Sequence, residues 1–285
     1  MTKWLIVIIL FASVNLWFAV HEAAAERRSC VRVISSTASL FTNGYKVLTS
    51  GHPIYYFKTN VPRKKGIFVI NNGFEYDLEN YKTTMQALAE SGYETLVYNY
   101  RTQGASLKLS RELAIHHPRV HLSDLTSDLD ELLNQLQIYE VVHMVGLSYG
   151  ASVASEFSTT NVHRVASLIF ISPLVEFDPT YLFLRRHPMG SFLVPQFTSA
   201  QEKLISAAAD YSLYDYNFSV PVHLILAERE KSPLRQDQDS VWRNKLKNLP
   251  GSKTVISNAE HAIPSSNPLE LAKELVNIAT KSKNQ

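Results

Sequence analysis

Short apolar runs alternate with amphipathic stretches along most of the chain after about residue 66. The runs are rich in β-branched and aliphatic residues, which is typical of strands buried on both faces of a sheet. The amphipathic stretches carry apolar residues three or four positions apart, as on one face of a helix. The predicted strands are 67–70, 95–98, 141–145, 167–171, 222–226 and 254–256, and the predicted helices are 81–91, 123–136 (with Ser123 as N-cap), 149–157, 241–249 and 268–281. This alternation predicts an α/β fold with a mostly parallel sheet and helices on both faces.

Two parts of the chain depart from the alternation. Strand-like runs at 31–34, 45–48 and 54–57 are separated by polar turns, one of them at residues 42–44, and predict an antiparallel edge of the sheet. Residues 174–220 are rich in aromatic residues and proline, and contain short helical patterns but no clear strand. Right-handed crossovers bring the carboxyl ends of parallel strands to one edge, where ligand sites form. Residues 174–220 are therefore predicted to form a cap over the carboxyl ends of the parallel strands.

The first 25 residues have the three regions of a secretory signal peptide. Lys3 precedes an uncharged apolar run over residues 4–20, and Ala23-Ala24-Ala25 supplies an Ala-x-Ala cleavage site. We expect cleavage after Ala25, a secreted or periplasmic protein, and one domain over residues 26–285 whose cap spans about 174–220. The apolar run of 17 residues is only slightly short for a membrane span. The alternative is an uncleaved anchor that associates with a membrane through residues 4–20.

Composition narrows the classes of function. The chain has 285 residues, of which 45% are hydrophobic and 19% charged, and its net charge is +2. So small a charge does not indicate a polyanionic partner, and no nucleic acid is expected. The single cysteine, Cys30, excludes an intramolecular disulfide and a cysteine-rich metal cage.

The strongest motif follows the predicted strand 141–145, which runs into Gly146-Leu147-Ser148-Tyr149-Gly150. G-x-S-x-G between a strand and a helix is the pattern of a nucleophile elbow. The turn is so tight that glycine is needed on either side, and it projects the serine hydroxyl above the sheet. Ser148 is therefore the predicted nucleophile, and it needs an adjacent base because a serine hydroxyl is a weak nucleophile at neutral pH.

A base and an acid are expected in loops at the same edge of the sheet. His261 is the predicted base, because it follows the last predicted strand across a four-residue turn. An acid should orient the imidazole and favour its charged form. Glu230 is the preferred acid, because it lies further from the end of strand 222–226, where a side chain can turn inward. Glu228 is the alternative.

An acyl-transfer site also needs backbone N–H groups that bind the developing oxyanion. One donor is expected from Tyr149, the residue after the nucleophile. The other is expected from Phe74, in the loop after strand 67–70, where Gly73 lets the backbone approach closely.

In the order nucleophile, acid, base, the chain resembles the α/β-hydrolase family, in the branch that holds esterases, lipases, thioesterases and proline-type peptidases. The resemblance covers about residues 45–279. Asn72-Gly73-Phe74 stands where the family has His-Gly-x, and Tyr100-Arg101-x-x-Gly104-x-Ser106 resembles the family loop D-x-R-G-x-G-x-S. The Gly146–Gly150 elbow follows, and Ala227-Glu228-Arg229-Glu230 resembles the acid loop G-x-x-D. His261, followed by Pro268-x-Glu270, resembles the histidine loop and the final helix. The resemblance implies an α/β-hydrolase fold with a short helical cap, a Ser148–His261–Glu230 triad, and no metal or cofactor.

Three positions depart from the family pattern. Asn72 stands for the usual histidine, Glu230 for aspartate, and Glu260 where glycine is common. The serine nucleophile argues against a haloalkane dehalogenase or an epoxide hydrolase, because those enzymes use aspartate.

The sequence thus predicts a secreted serine hydrolase that cleaves an ester or thioester of a small-molecule or lipid-like acyl substrate through an acyl-enzyme. Apolar cap residues either line an acyl pocket or pack on the core; they are Phe177, Tyr181, Leu182, Phe183, Leu184, Phe192, Leu193 and Phe197. Two alternatives stay open. One is a binding protein of the same fold that has lost catalysis, which the three departures suggest. The other is an acyltransferase with the same triad. An amide substrate also stays open.

Overall fold

The computed structural model describes residues 40–62, 64–116, 119–178, 181–183, 198–231 and 234–282. The chain divides into two compact units, a larger one of residues 39–177 and 199–285 and a smaller one of residues 1–38 and 178–198. In the smaller unit, the backbone N–H of Tyr181 donates to the side chain of Asp178, and that of Leu182 donates to the Asp178 carbonyl. Every strand and helix given below belongs to the larger unit.

The larger unit is built on an eight-stranded sheet with the order β1-β2-β4-β3-β5-β6-β7-β8. The strands are β1 (Phe41–Val47), β2 (Pro53–Thr59), β3 (Gly66–Asn71), β4 (Tyr93–Tyr98), β5 (Val142–Leu147), β6 (Val165–Ile171), β7 (Val222–Ala227) and β8 (Gly251–Ile256). β1 pairs with β2 and β2 with β4 in antiparallel register, and the pairs from β4 to β8 are parallel. The predicted antiparallel edge and the mostly parallel sheet are confirmed.

Helices cover both faces of the sheet. They are α1 (Lys82–Glu90), α2 (Gly104–Glu112), α3 (Leu122–Gln135), α4 (Gly150–Thr160), α5 (Ser199–Ala207), α6 (Leu234–Val241), α7 (Ile263–Ser266) and α8 (Pro268–Ser282). Ile67 and Val69 of β3 pack in one core with α3 and α4, whereas Phe68 and Ile70 pack in a second core with α1 and α8. Since successive side chains of a strand point to opposite faces, a continuous apolar run fills both cores at once.

The polar turn predicted at residues 42–44 is wrong, because those residues lie within β1. Each is paired with a residue of β2, and their polar side chains are satisfied at the exposed edge. Asn43 donates to the Tyr55 hydroxyl at 3.0 Å, and Asn60 donates to the Thr42 hydroxyl at 2.6 Å. Pairing with β2 thus outweighs the local preference of Thr-Asn-Gly for a turn.

Three helix predictions also need correction. α2 occupies part of the predicted loop 100–106. The N-cap of α3 is His121 rather than Ser123, and the His121 N–H donates to Asp124 at 2.8 Å as in a capping box. The helix predicted over 241–249 begins earlier, as α6, and continues as a π-helical turn over Trp242–Leu246.

The predicted leader lies outside the described residues, as does the strand predicted at 31–34. Among the residues that the structure describes, no helix is long and apolar enough to cross a membrane. The cap predicted over 174–220 is described in part. Its described elements are α5 and a 3₁₀ turn at Leu213–Asp215. Of the apolar cap residues, Phe177 packs against the core and Phe183 is exposed, whereas Leu184, Phe192, Leu193 and Phe197 lie outside the described residues.

Candidate active site

Ser148 lies at the carboxyl end of β5, in a turn that only small neighbours allow. Its φ is +50°, in the left-handed region that non-glycine residues rarely adopt. A Cβ on Gly150 would lie 2.1 Å from the Asn71 carbonyl oxygen, and a Cβ on Gly146 would lie 2.7 Å from Cα of Ala151. Glycine is therefore required on both sides of the serine, and Gly150 lets α4 begin directly against the loop that follows β3.

The backbone of Ser148 is held on both sides. Its N–H donates to the Ile171 carbonyl at 3.0 Å, and its carbonyl accepts from the Leu174 N–H at 3.0 Å. Both partners belong to the end of β6 and the segment after it. These bonds keep the strained residue in place while its side chain stays half-exposed.

The structure brings Ser148, His261 and Glu230 together in one chain of hydrogen bonds. His261 Nε2 lies 2.9 Å from Ser148 Oγ, and His261 Nδ1 lies 2.6 Å from Glu230 Oε2. The Glu230 side chain is 2% exposed and that of His261 is 23% exposed. The acid is thus shielded from solvent, whereas the ring and the hydroxyl remain accessible.

The charge of Glu230 is maintained by its partners. Burial raises the pKa of the Glu230 carboxyl, but the hydrogen bond and charge of His261, with a smaller contribution from the Lys231 N–H, outweigh burial and hold the pKa below its ordinary value. Glu230 is therefore placed as a carboxylate that can accept the Nδ1 proton of the ring.

Glu228, the alternative acid, points elsewhere. It is exposed, and its Oε2 accepts from the backbone N–H of Asn258 at 2.7 Å. That bond joins the loop after β7 to the loop after β8, which carries His261. The Glu260 N–H in turn donates to Ser266 at 3.1 Å, at the end of α7.

The loop after β3 lies against the elbow. The rings of Phe74 and Tyr149, whose N–H groups are the predicted oxyanion donors, have centroids 6.2 Å apart. The nearest atom to a Cβ built on Gly73 would be Leu147 Cδ2, at 3.4 Å. The loop after β3 therefore packs against the residues that flank Ser148.

Asn72, which replaces the usual histidine, is a structural anchor of this loop. Its Nδ2 donates to the Tyr76 carbonyl at 2.6 Å, and its Oδ1 accepts from the Tyr81 hydroxyl at 2.9 Å. The side chain is fully buried. The loop is thus shaped by an asparagine and a tyrosine.

Several residues that support the site were not identified from the sequence. The Tyr100 hydroxyl donates to the Asn72 carbonyl at 2.8 Å, and Gln103 Nε2 donates to the Gly73 carbonyl at 3.0 Å. The Tyr76 hydroxyl is hydrogen-bonded to Ser265 of α7, across from the histidine loop. Tyr100 and Gln103 lie within the Y-R-x-x-G motif, so the motif itself was the available signal.

The loop after β4 is fixed to α3 by a buried ion pair. Arg101 Nε and Nη2 contact the two carboxylate oxygens of Asp128 at 2.7 and 2.5 Å.

Among the described residues, no group of histidine, cysteine, aspartate and glutamate side chains could hold a metal ion.

Comparisons with known proteins establish the family of this chain. A family model described as serine aminopeptidase, S33, matches residues 62–245. A search of curated protein sequences found no significant match.

Solved structures share the fold at low sequence identity. A thermophilic esterase from Thermogutta terrifontis has a TM-score of 0.63 and 17% identity, over 85% of this chain and 99% of the esterase. A bacterial membrane phospholipase A, described as a virulence factor, has a TM-score of 0.64 and 16% identity, over 100% of both chains. The epoxide hydrolase CorEH has a TM-score of 0.62 and 15% identity, over 85% of this chain and 99% of that enzyme.

Proposed function

This chain belongs to the S33 serine aminopeptidase family of α/β-hydrolases, and we propose that it is a serine hydrolase that cleaves a carboxylic ester or thioester. The observation that carries the proposal is the hydrogen-bonded chain from Ser148 through His261 to Glu230. A serine, an imidazole and a carboxylate in this arrangement are the parts of an acyl-transfer site.

The first half of the reaction forms an acyl-enzyme. Because Glu230 accepts the Nδ1 proton of His261, Nε2 of the ring is left as the acceptor for the hydroxyl proton. Ser148 Oγ attacks the substrate carbonyl as His261 takes that proton. The N–H groups of Phe74 and Tyr149 bind the oxyanion that develops. His261 then gives its proton to the leaving alcohol or thiol.

The second half releases the acid. His261 takes a proton from water, and the hydroxide attacks the acyl carbonyl on Ser148. The tetrahedral intermediate forms in the same oxyanion site and collapses, and the proton returns to Ser148 Oγ. This sequence of steps needs no metal or cofactor.

The serine at the elbow argues against epoxide hydrolysis, because enzymes of that class use aspartate as the nucleophile. An epoxide hydrolase shares the fold, but the elbow residue here is Ser148 and its hydroxyl contacts the imidazole directly. An amide is the second candidate substrate, since the family model carries the description of a serine aminopeptidase. Acyl esters, thioesters and aminoacyl amides presented side by side distinguish the two.

The proposal is tested by labelling with a fluorophosphonate probe, which phosphonylates an activated serine. We expect the purified wild-type protein to be labelled and Ser148→Ala not to be. The control is Ser152→Ala, since Ser152 is fully buried in α4 and its hydroxyl donates to the Tyr149 carbonyl. Labelling that is absent from folded wild-type protein, or that persists in Ser148→Ala, would reject the proposal.

The two alternatives give different results. A binding protein without catalysis predicts that His261→Ala leaves ester hydrolysis unchanged, whereas our proposal predicts a loss of about 100-fold or more. An acyltransferase predicts an acylated product when an alcohol or amine acceptor is added. A hydrolase yields only the free acid under the same conditions.

We also propose that the enzyme acts outside the cytoplasm, or at a membrane surface if its leader is retained. The support is the sequence pattern of residues 1–25. Substrates would then be small-molecule or lipid-like acyl compounds met in that compartment.

A further inference from the structure

We propose that Gln103 is a positioning residue for the oxyanion site, and that it acts by orienting the peptide group between Gly73 and Phe74. The inference rests on the proposed function, because it assumes that the Phe74 N–H binds the oxyanion. It assigns a role in the reaction to a side chain that does not touch the substrate.

One peptide group sets the directions of both the Gly73 carbonyl and the Phe74 N–H. The carbonyl of Gly73 and the N–H of Phe74 belong to the same planar unit and point in opposite directions. A hydrogen bond that fixes the direction of the carbonyl therefore fixes the direction of the N–H. Glycine restrains the backbone less than any other residue, so a hydrogen bond on this unit has more effect here.

Gln103 supplies that hydrogen bond. Its Nε2 donates to the Gly73 carbonyl oxygen at 3.0 Å, and its side chain comes from the loop after β4, just before α2. The same oxygen also accepts from the Tyr76 N–H, at the longer distance of 3.4 Å. The amide of Gln103 is therefore the shorter of two restraints, and the one that comes from another part of the fold.

The surroundings of Gln103 Oε1 support a role for the Nε2 donor of the same amide. Gln103 is 2% exposed, and its Oε1 is buried without a hydrogen-bond partner among the residues that the structure describes. Burying an unpaired amide oxygen costs stability, and an apolar side chain of similar size would avoid this cost. The reversed amide would place oxygen against oxygen. The observed orientation thus accepts the cost at Oε1 and keeps the N–H on Gly73.

The contacts of Tyr100 and Asn72 act on other groups of the same loop. Tyr100 holds the preceding carbonyl, that of Asn72, at 2.8 Å, and the Asn72 side chain is bonded to Tyr76 and Tyr81. Those bonds fix where the loop lies. A donor on the Gly73 carbonyl also polarises the peptide, so that the Phe74 N–H becomes a stronger donor.

The test uses ester hydrolysis by the full-length protein, with Gln103→Met and Gln103→Glu as variants. Methionine fills the same volume without a donor, and glutamate presents oxygen where the N–H stood. We expect each to lower kcat by about 10- to 100-fold, somewhat less than the loss of an oxyanion donor, with KM changed by about 3-fold at most. Gln103→Glu should lose at least as much as Gln103→Met.

A matched thionoester substrate isolates the oxyanion site. Sulfur is a poor hydrogen-bond acceptor, so the rate with a thionoester depends little on the N–H donors. We expect the ratio of ester to thionoester rates to fall in both variants by about the factor lost in kcat. This ratio does not depend on how much of a variant is folded, and it therefore stays informative if a variant is unstable.

Gln238 provides the matched control. It is also a fully buried glutamine whose Nε2 donates to a backbone carbonyl, that of Pro173 at 3.3 Å, and whose Oε1 has no partner in the described part of the chain. The peptide that it contacts bears the Leu174 N–H, which donates to the Ser148 carbonyl and not to the oxyanion. We expect Gln238→Met to leave the ester to thionoester ratio unchanged.

The outcomes separate this inference from the proposed function. Hydrolysis that does not depend on Ser148 would reject the proposed function. Hydrolysis that depends on Ser148, with an unchanged ester to thionoester ratio in both Gln103 variants, would reject the role of Gln103 alone. A ratio that falls equally in Gln238→Met would also reject it, because the effect would then follow from the loss of any buried glutamine.

Discussion

At the residue scale, Glu230 stands where the α/β-hydrolase pattern has aspartate. The extra methylene of glutamate is accommodated because Glu230 lies in a turn beyond the end of β7. In this turn the Glu230 N–H donates to the Ala227 carbonyl at 3.2 Å. From there the longer side chain reaches His261 while remaining nearly fully buried. An aspartate at this position would be one carbon too short for the same contact.

We predict that Glu230→Gln lowers kcat by about 100- to 10,000-fold, because an amide neither stabilises the imidazolium nor holds the required tautomer. Glu230→Asp should also be impaired. Steady-state kinetics on an ester substrate measure both effects. Glu228→Gln is the control in the same loop and should remain within about 3-fold of the wild type. A greater loss in Glu228→Gln than in Glu230→Gln would transfer the role of the acid to Glu228.

Motif and element order were sufficient to predict Ser148 and His261, which the structure brings into hydrogen-bond contact. They could not choose firmly between Glu228 and Glu230, because two carboxylates in one loop differ only in the direction that the turn gives them. Gln103 could not be selected at all. Its contact with the Gly73 carbonyl joins segments 30 residues apart, and nothing in the local pattern indicates which carbonyl a buried polar side chain meets.

At the element scale, the strands of the parallel sheet were predictable because each is a continuous apolar run. β3, β5, β6 and β7 lie within two residues of their predicted bounds. Elements with a polar surface were harder to predict. α2 buries Ser106 and Ser110 rather than an apolar stripe, so its sequence lacks the periodicity by which a helix is recognised. In β1, the exposed edge tolerates Thr-Asn-Gly, which would elsewhere indicate a turn.

The junction of β5 and α4 makes a prediction about stability. Gly150→Ala should destabilise the protein by about 3 kcal/mol, because the added methyl group meets the Asn71 carbonyl in a packed region. Chemical denaturation measures the change. Gly44→Ala is the control, since its added Cβ would have no contact closer than 3.9 Å. A Gly150→Ala variant as stable as Gly44→Ala would mean that the loop after β3 does not approach the elbow as described.

At the scale of the whole molecule, the proposed site is assembled from loops at the carboxyl ends of the parallel strands. Ion pairs join the segments at the opposite ends of these strands. Glu94 of β4 is 8% exposed and contacts Lys58 of β2 at 3.0 Å and Lys64 of the turn before β3 at 2.6 Å. Lys64 also pairs with Glu140, between α3 and β5. One carboxylate network thus joins segments that are far apart in the sequence.

This network predicts how stability depends on pH. Burial raises the pKa of Glu94, but its bonds to Lys64 and Lys58 outweigh burial and lower the pKa below its ordinary value of 4.5. The stabilisation is therefore fully present above pH 4.5 and is lost as the pH falls through the lower, folded-state pKa. We expect Glu94→Gln to reduce Tm by about 2–4 °C at neutral pH, and this gap to shrink in acid.

Thermal melts of both proteins at about pH 7 and about pH 3 measure the gap. Glu270→Gln is the control, because Glu270 pairs with Lys273 at the exposed surface of α8 and surface pairs of this kind contribute little. A gap between wild type and Glu94→Gln that stays constant in acid would contradict the prediction.

The predicted signal peptide can be tested on the full-length protein. When the full-length protein is expressed in a secreting host, we expect the mature chain to begin at Glu26. Intact-mass spectrometry of the secreted fraction measures this directly. Ala25→Phe should block processing, since cleavage requires a small residue at that position. A full-length mass for the wild type, recovered with membranes, would instead support the uncleaved anchor.

The left-handed φ of Ser148 has a consequence for how such a chain can change over many generations. Holding a non-glycine residue there costs on the order of 1–2 kcal/mol. Glycine at position 148 would abolish the hydroxyl and the strain in the same step. If selection for activity is relaxed, the strained backbone therefore does not disfavour replacement of Ser148 by glycine.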